Sequence, residues 1–297
     1  SLNAGCTCPT RDGSIDTRGC IFCSAKGSGD FAESNNESIS VQIENAKRRV
    51  SSKMPALNRS NSTSNNSQNK DSQNNAHKYI AYFQPFTNTY GDPKVLEQKY
   101  LEAANHPDIV GLSIATRPDC LSEEILDIIC TINRTCPVWI ELGLQTVHED
   151  SAKYIRRGFG LDVYDKAVSM LSQRELNIIT HVILGLPGED KDMMLETVDY
   201  VGRMSKRYDN ITHGIKLQLL HVLKGTDLEK DYNAGKFNTL TPEEYIEIVR
   251  QALMILPPEV IIHRLTGDGD KKLLVAPKWS ANKKLVINEL QKIYDVV

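Results

Sequence analysis

Val138–Gln145, VWIELGLQ, reads as two different surfaces laid along one strand. Side chains on a strand alternate between faces. Val138, Ile140, Leu142 and Leu144 share one face; Trp139, Glu141, Gly143 and Gln145 share the other. Ile109–Arg117 repeats the pattern, with Val110, Leu112, Ile114 and Thr116 set against Gly111, Ser113, Ala115 and Arg117. A strand with helices packed on both sides is apolar on both faces. One small or polar face per strand instead suits a barrel whose interior holds a ligand. The polar residues gather at C-terminal strand ends, where barrel enzymes place their active sites.

Outward from this strand, short apolar runs alternate with helical patterns. Tyr79–Phe83, Ile178–Leu184, Ile211–Val222 and Val260–His263 read as further strands. Asp92-Pro93 predicts an N-cap and first-turn proline for a helix to about Ala104. Ser122 predicts the cap of a helix carrying Ile125, Leu126, Ile129 and Ile132. Helices are also expected over Leu161–Leu176, from about Glu189 to Met204, and near Lys283–Tyr294. Thr241-Pro242-Glu243-Glu244 has the form of a capping box. Upstream, Ile39, Ile43, Ala46, Val50 and Met54 recur at helical spacing. Six or so strands alternating with helices imply a parallel sheet, hence an α/β fold of barrel type. In 58–76, fourteen of nineteen residues are Asn, Ser or Gln and none is a large apolar residue. That composition predicts a disordered insertion in a single domain spanning 1–297, because the α/β pattern resumes directly after it.

Composition excludes little. Thirty-five basic against 38 acidic residues give a net charge of −3, which argues against a generally basic nucleic-acid binder. No apolar run approaches the ~20 residues that cross a bilayer, so no membrane partner is expected. The opening SLNAG, with no initiator Met, reads as the end of a strand and predicts truncation at the N-terminus. Seven cysteines, an odd number, do not form a secreted disulfide framework; a reducing, cytoplasmic setting is expected.

Four of those cysteines, Cys6, Cys8, Cys20 and Cys23, lie in the Gly-rich stretch Gly5–Phe31. The spacing suits a structural zinc, an iron–sulfur cluster or redox thiols. The loop follows an apparent first strand and so sits at the barrel mouth, where a structural zinc has no need to be. Phe22, between two cysteines, suits a planar aromatic ligand such as adenine. At this point the residues carry a resemblance. CPTRDG, GCIFC, GSGDF, YFQPFTNTYG, IATRPDCL, ELGLQT, HVILGLPGE, LHVLKGT and HRLTGDG, in this order, resemble the YhcC-like radical S-adenosylmethionine (SAM) proteins, relatives of the radical SAM domain of the Elongator catalytic subunit.

The resemblance implies a partial (β/α)6-type TIM barrel with a short helical C-terminal extension from about residue 224. It implies a [4Fe–4S] cluster on Cys8, Cys20 and Cys23 that reduces SAM to a 5′-deoxyadenosyl radical. A low-potential electron donor, flavodoxin or ferredoxin, follows from that chemistry. The substrate is unidentified, with RNA suggested by the Elongator relationship. Cys6 is left out as a spare thiol. The resemblance and the residue chemistry together nominate Phe22, Gln84, Thr87, Arg117, Glu141, Gln145 and Gly185 as SAM contacts. Arg117 has a competing role in an ion pair with Asp119 or Glu141, and Glu141 in a pair with Lys216. His181, Lys216, Gln218, His221, Lys224, His263 and Arg264, with His148 and Arg157, are candidates for the substrate side. Lys271, Lys272, Lys278, Lys283 and Lys284 form a basic stretch that reads as a solvated face or a phosphate-contacting surface. The competing function is a zinc-stabilised, non-catalytic nucleic-acid-binding module.

Overall fold

The structure is a computed structural model and describes residues 1–52, 77–267, 269–282 and 286–290. The Asn/Ser-rich tract at 58–76 lies outside the described residues, as do Lys283 and Lys284. Residues 286–290 are helical.

After α1 (Ile39–Ser51), strands and helices alternate through β1 (Tyr79–Phe83), α2 (Pro93–Ala104), β2 (Ile109–Thr116), α3 (Glu123–Asn133) and β3 (Val138–Gln145). The short helix α4 (Glu149–Tyr154) precedes α5 (Leu161–Ser172), β4 (Asn177–Leu184), α6 (Lys191–Arg207) and β5 (His213–Leu219). β6 (Val222–Leu223), α7 (Asp227–Asn233), α8 (Pro242–Ile255), β7 (Ile261–Arg264) and β8 (Leu274–Ala276) follow. Six strands pair in the order β1-β2-β3-β4-β5-β7, all parallel, as a curled half-barrel. β6 and β8 form a separate antiparallel pair. Leu2 bridges Phe83 in parallel, so the first residues run beside β1 before entering the cysteine loop.

The caps act where the sequence places them. Asp92 accepts from the amides of Lys94 and Val95 at the start of α2, and Ser122 accepts from Ile125 N–H. Thr241 and Glu244 complete a reciprocal capping box, worth about 1 kcal/mol relative to an uncapped start. The apolar face of β3 packs outward: Ile140, Leu142 and Leu144 are fully buried in the main core with α3, α5 and α6 residues such as Ile129, Val168 and Val198. Each such side chain contributes roughly 1.5–3 kcal/mol. Its other face turns into the lumen.

Two expectations change. Ile211–Val222 is not one strand, because the apolar run hides a corner. Leu220 N–H still bonds to Leu184 C=O (2.9 Å), but the His221 ring then packs where a Cβ on Gly267 would lie 2.6 Å away. The chain leaves the sheet there, and Val222–Leu223 pairs with β8 instead. The segment from about 224 is also more than a helical extension: alongside α7 and α8 it supplies β7, the sixth strand of the sheet.

Candidate functional site

Backbone hydrogen bonds, not regular elements, shape the cysteine loop. The amides of Arg11 and Asp12 bond to Cys8 C=O (2.8 and 3.2 Å), and Gly19 N–H bonds to Thr10 C=O (2.7 Å). Cys23 N–H turns back onto Cys20 C=O (3.0 Å). Between the last two cysteines, Ile21 is buried against Ile155, Ile183 and Leu186. Its N–H bonds to Ile155 C=O, and its C=O accepts from Leu228 N–H (both 3.2 Å). The loop is thereby docked onto the ends of α4 and α7. Cys8, Cys20, Cys23 and Phe22 all line one cavity at the C-terminal ends of the strands. Cys6 does not line it; its sulfur lies against Gly91, and burial pushes its thiol up to about 11.

The donor set can be tested against the two metals. A tetrahedral zinc with Zn–S near 2.3 Å holds its sulfurs about 3.8 Å apart. Among the described residues no three cysteine sulfurs lie within 4.8 Å of one another. Three thiolates that line one cavity without closing to that spacing fit a polynuclear cluster, in which each binds its own iron. Burial also pushes the Cys20 thiol up to about 12, so its thiolate needs a cation there.

The strand ends supply the opposite wall. Gln84 and Thr87, after β1, line the cavity; Gln84 Nε2 donates to Ser28 C=O (2.8 Å) and Thr87 N–H to Thr7 C=O (3.2 Å). Arg117 lines it too, and its guanidinium makes a two-pronged pair with Asp119 (2.9 and 2.6 Å), one of its two competing partners. Glu141 is 3% exposed. Ser113 Oγ donates to its Oε1; Lys216 Nζ and His181 Nε2 (2.6 Å) bond to its Oε2. Lys216 is thus its partner, as the competing reading had it. Gln218 Nε2 lies 3.0 Å from His181 Nδ1, an arrangement that suits a neutral imidazole with its proton on Nε2. Burial opposes charge on Glu141, but His181 and Lys216 outweigh it and hold the carboxyl well below its usual range. Burial also lowers His181 and Lys216, each partly offset by the Glu141 carboxylate.

Gln145, at the end of β3, adopts φ +70°, a left-handed conformation uncommon for a side-chain-bearing residue. The register of β3 on β4 shifts between Gly143 and Gln145. Its Oε1 is buried with no hydrogen-bond partner among the described residues. Arg157, 2% exposed, is held by the carbonyls of Leu144 (3.0 Å), Thr146 (2.5 Å) and Phe159 (3.1 Å), yet its Nη2 is likewise buried and unpartnered. The guanidiniums of Arg157 and Arg117 both lie over the Phe159 ring, 4.7 and 5.1 Å from its centre. Each orphaned buried group costs about 1–3 kcal/mol, and a ligand that carries an anionic oxygen and a donor group would satisfy both.

The other nominees divide. His181, Gln218 and Arg264 reach the cavity, with Lys216 beneath them on Glu141. Gly185 does not: its N–H bonds to Met194 Sδ (3.0 Å), its Cα packs against Leu240, and Ile183 lines the wall instead. His148, His221, Lys224 and His263 also lie off the cavity; His148 Nε2 bonds to Met193 C=O (2.8 Å) and His263 covers Gly214. Thr10, Arg11, Tyr82, Phe86 and Phe159 line it without having been nominated. The signal for Phe159 was its place two residues after Arg157; for Arg11, its place inside CPTRDG.

Known proteins give an independent comparison. The radical SAM superfamily model matches residues 68–201, and the Radical_SAM C-terminal domain matches 212–294. The uncharacterized protein YtqA of Bacillus subtilis (strain 168) is 41% identical over 98% of this chain and 83% of its own length. Protein YhcC of Escherichia coli (strain K12) is 33% identical over 98% of this chain and 85% of its own length. The structure of archaeal Methanocaldococcus infernus Elp3 with an N-terminal deletion superposes with a TM-score of 0.63 at 19% identity, covering 86% of this chain and 58% of that one; it supports the fold. From the full-length identity and the superfamily match, the chain belongs to the YhcC/YtqA family of radical SAM proteins.

Proposed function

We propose that the protein is a radical SAM enzyme in which Cys8, Cys20 and Cys23 hold a [4Fe–4S] cluster and SAM fills the adjoining cavity. The observation that carries this reading is the meeting of three cysteines from one loop with two orphaned buried groups, Gln145 Oε1 and Arg157 Nη2, across that cavity. When bound, the cluster supplies the electron that cleaves SAM to a 5′-deoxyadenosyl radical. The chain's own residues bind, orient and exclude water. Arg157 Nη2 offers a charge-assisted hydrogen bond to the SAM carboxylate. Gln145 Oε1 accepts from an ammonium or ribose hydroxyl. Phe22 offers an aromatic face for adenine. Gln84, Thr87 and Arg117 complete the rim, Arg117 with its charge already matched by Asp119. The Glu141–Lys216 pair is a fixed floor, with His181, Gln218 and Arg264 turned toward the substrate.

RNA is the substrate class we would test first, from the resemblance to the Elongator subunit. An electron donor of flavodoxin or ferredoxin type follows from the chemistry. The test of the reaction class is anaerobic incubation of the reconstituted protein with SAM and dithionite. The expected result is 5′-deoxyadenosine; its absence from a protein that binds SAM would overturn the reading.

A further inference from the structure

Arg11 is a cavity residue with no part in the functions described so far. Its backbone sits on the Cys8 arm, with its N–H on Cys8 C=O (2.8 Å). Its side chain crosses to the other arm, where Nη2 donates to Cys23 C=O (3.2 Å) and Ser24 C=O (2.7 Å). One residue therefore ties two cysteine arms together. The crossing needs space on both sides. A Cβ on Gly19, at φ +74°, would sit 2.9 Å from Arg11 Nε. Beneath the guanidinium lies the Phe86 ring, 5.7 Å from its centre. Phe86 in turn is seated on Gly27, where a Cβ at φ +59° would lie 2.4 Å from the ring.

Two of the arginines that line the cavity, Arg11 and Arg117, differ in charge balance. Arg117 is neutralised by Asp119. Among the described residues, no carboxylate forms an ion pair with Arg11: carbonyls and an aromatic face satisfy its geometry, where Arg117 has a carboxylate in direct contact. A unit charge within about 8 Å, at an effective dielectric near 20, shifts a one-electron equilibrium by more than tenfold. Net charge and hydrogen bonding around the sulfurs are what set cluster potentials.

We propose that Arg11 is a positioning residue for the cluster, whose charge, bound by carbonyls beside Cys23 and not by a carboxylate, favours the more negative, reduced form of the three-cysteine site. The inference rests on Cys8, Cys20 and Cys23 being the ligands. Reduction takes one electron from the external donor, adds one negative charge and makes or breaks no bond. The fork sets the distance between the arms, while the charge sets how readily that electron is accepted.

The test compares wild type, Arg11→Gln and Arg11→Lys after anaerobic reconstitution, by bound iron and by a mediated redox titration followed by electron paramagnetic resonance. In Arg11→Gln the reduction equilibrium should fall at least tenfold, a midpoint about 59 mV more negative for one electron. Arg11→Lys, which keeps the charge, should stay within threefold of wild type. Loss of iron from a folded Arg11→Gln that Arg11→Lys restores also upholds the role. If Arg11→Gln does not fold by circular dichroism, Arg11→Met, which keeps an apolar stem over Phe86, replaces it. A neutral variant with wild-type iron and midpoint overturns the proposal, as does Arg11→Lys shifted as far as Arg11→Gln. A wild-type protein that binds no iron–sulfur cluster sinks the parent reading instead, before any variant is compared.

Discussion

The cysteine loop, Gly5–Phe31, and the lumen face of β2–β5 line the same cavity but are assembled in opposite ways. In the loop, Cys8, Cys20 and Cys23 are neighbours in sequence, held by backbone turns and by Arg11. In the lumen, Ser113, Glu141, His181 and Lys216 come from four strands. Register brings them together: Ala115 opposes Glu141, Gly143 opposes His181, and His181 opposes Lys216. The loop makes few demands on the core, whereas the lumen network sits on the strands that build it. Damage to the loop should therefore cost chemistry with little loss of fold; damage to the lumen floor should cost the fold itself.

The largest expected effect lies in the loop. Cys20→Ala should abolish bound iron and 5′-deoxyadenosine formation, while the melting temperature of the apo-protein stays within a few degrees of wild type. Extensive unfolding of that variant would show that the loop is structural. Next comes the floor. Lys216→Met leaves the Glu141 carboxylate buried beside neutral His181, a loss of about 3–5 kcal/mol by urea denaturation. A change under about 1 kcal/mol would mean that the lumen tolerates a broken pair as a surface does. Leu142→Ala, on the outer face of the same strand, should cost about 2–5 kcal/mol by cavity formation and leave the affinity for SAM of the folded fraction unaltered.

Gln145 is the lumen residue expected to behave like the loop. Its Oε1 is an orphan in the free protein, so Gln145→Ala removes a desolvation cost and should hold or raise the melting temperature. SAM binding by calorimetry should weaken about tenfold, the worth of one hydrogen bond. The smallest effect is pH. Burial lowers His181, His213 and His263 below the ordinary histidine value, so each is neutral in the fold and takes up a proton more readily when unfolded. Their contribution is complete above about pH 6.5 and falls away as pH drops below it. Thermal denaturation should start earlier at pH 5.5 than at pH 7.5; a transition that rises on acidification would contradict the neutral assignments.

Much of this was legible because the signals were local. Alternation in VWIELGLQ gave the lumen and core faces of β3, and caps at Asp92, Ser122 and Thr241 marked three helix starts. Three cysteines within one loop could be read together as ligands. What stayed hidden depends on contacts distant in sequence. Nothing local tells whether Arg117 meets Asp119 or an external carboxylate, or that Gly185 turns toward Met194 and Leu240. Arg157 looked like one of several polar residues; only its burial against three carbonyls, with Nη2 left over, sets it apart. The corner at His221 lay inside a continuous apolar run, where periodicity carries no mark of a strand leaving its sheet.

The most direct test of the central claim is metal and sulfide content after anaerobic reconstitution of wild type and of the Cys6→Ala, Cys8→Ala, Cys20→Ala and Cys23→Ala variants. The account predicts about four irons with matching sulfide in wild type and Cys6→Ala, and their loss from each of the other three. Zinc as the metal retained by wild type, or loss of iron from Cys6→Ala, would contradict it.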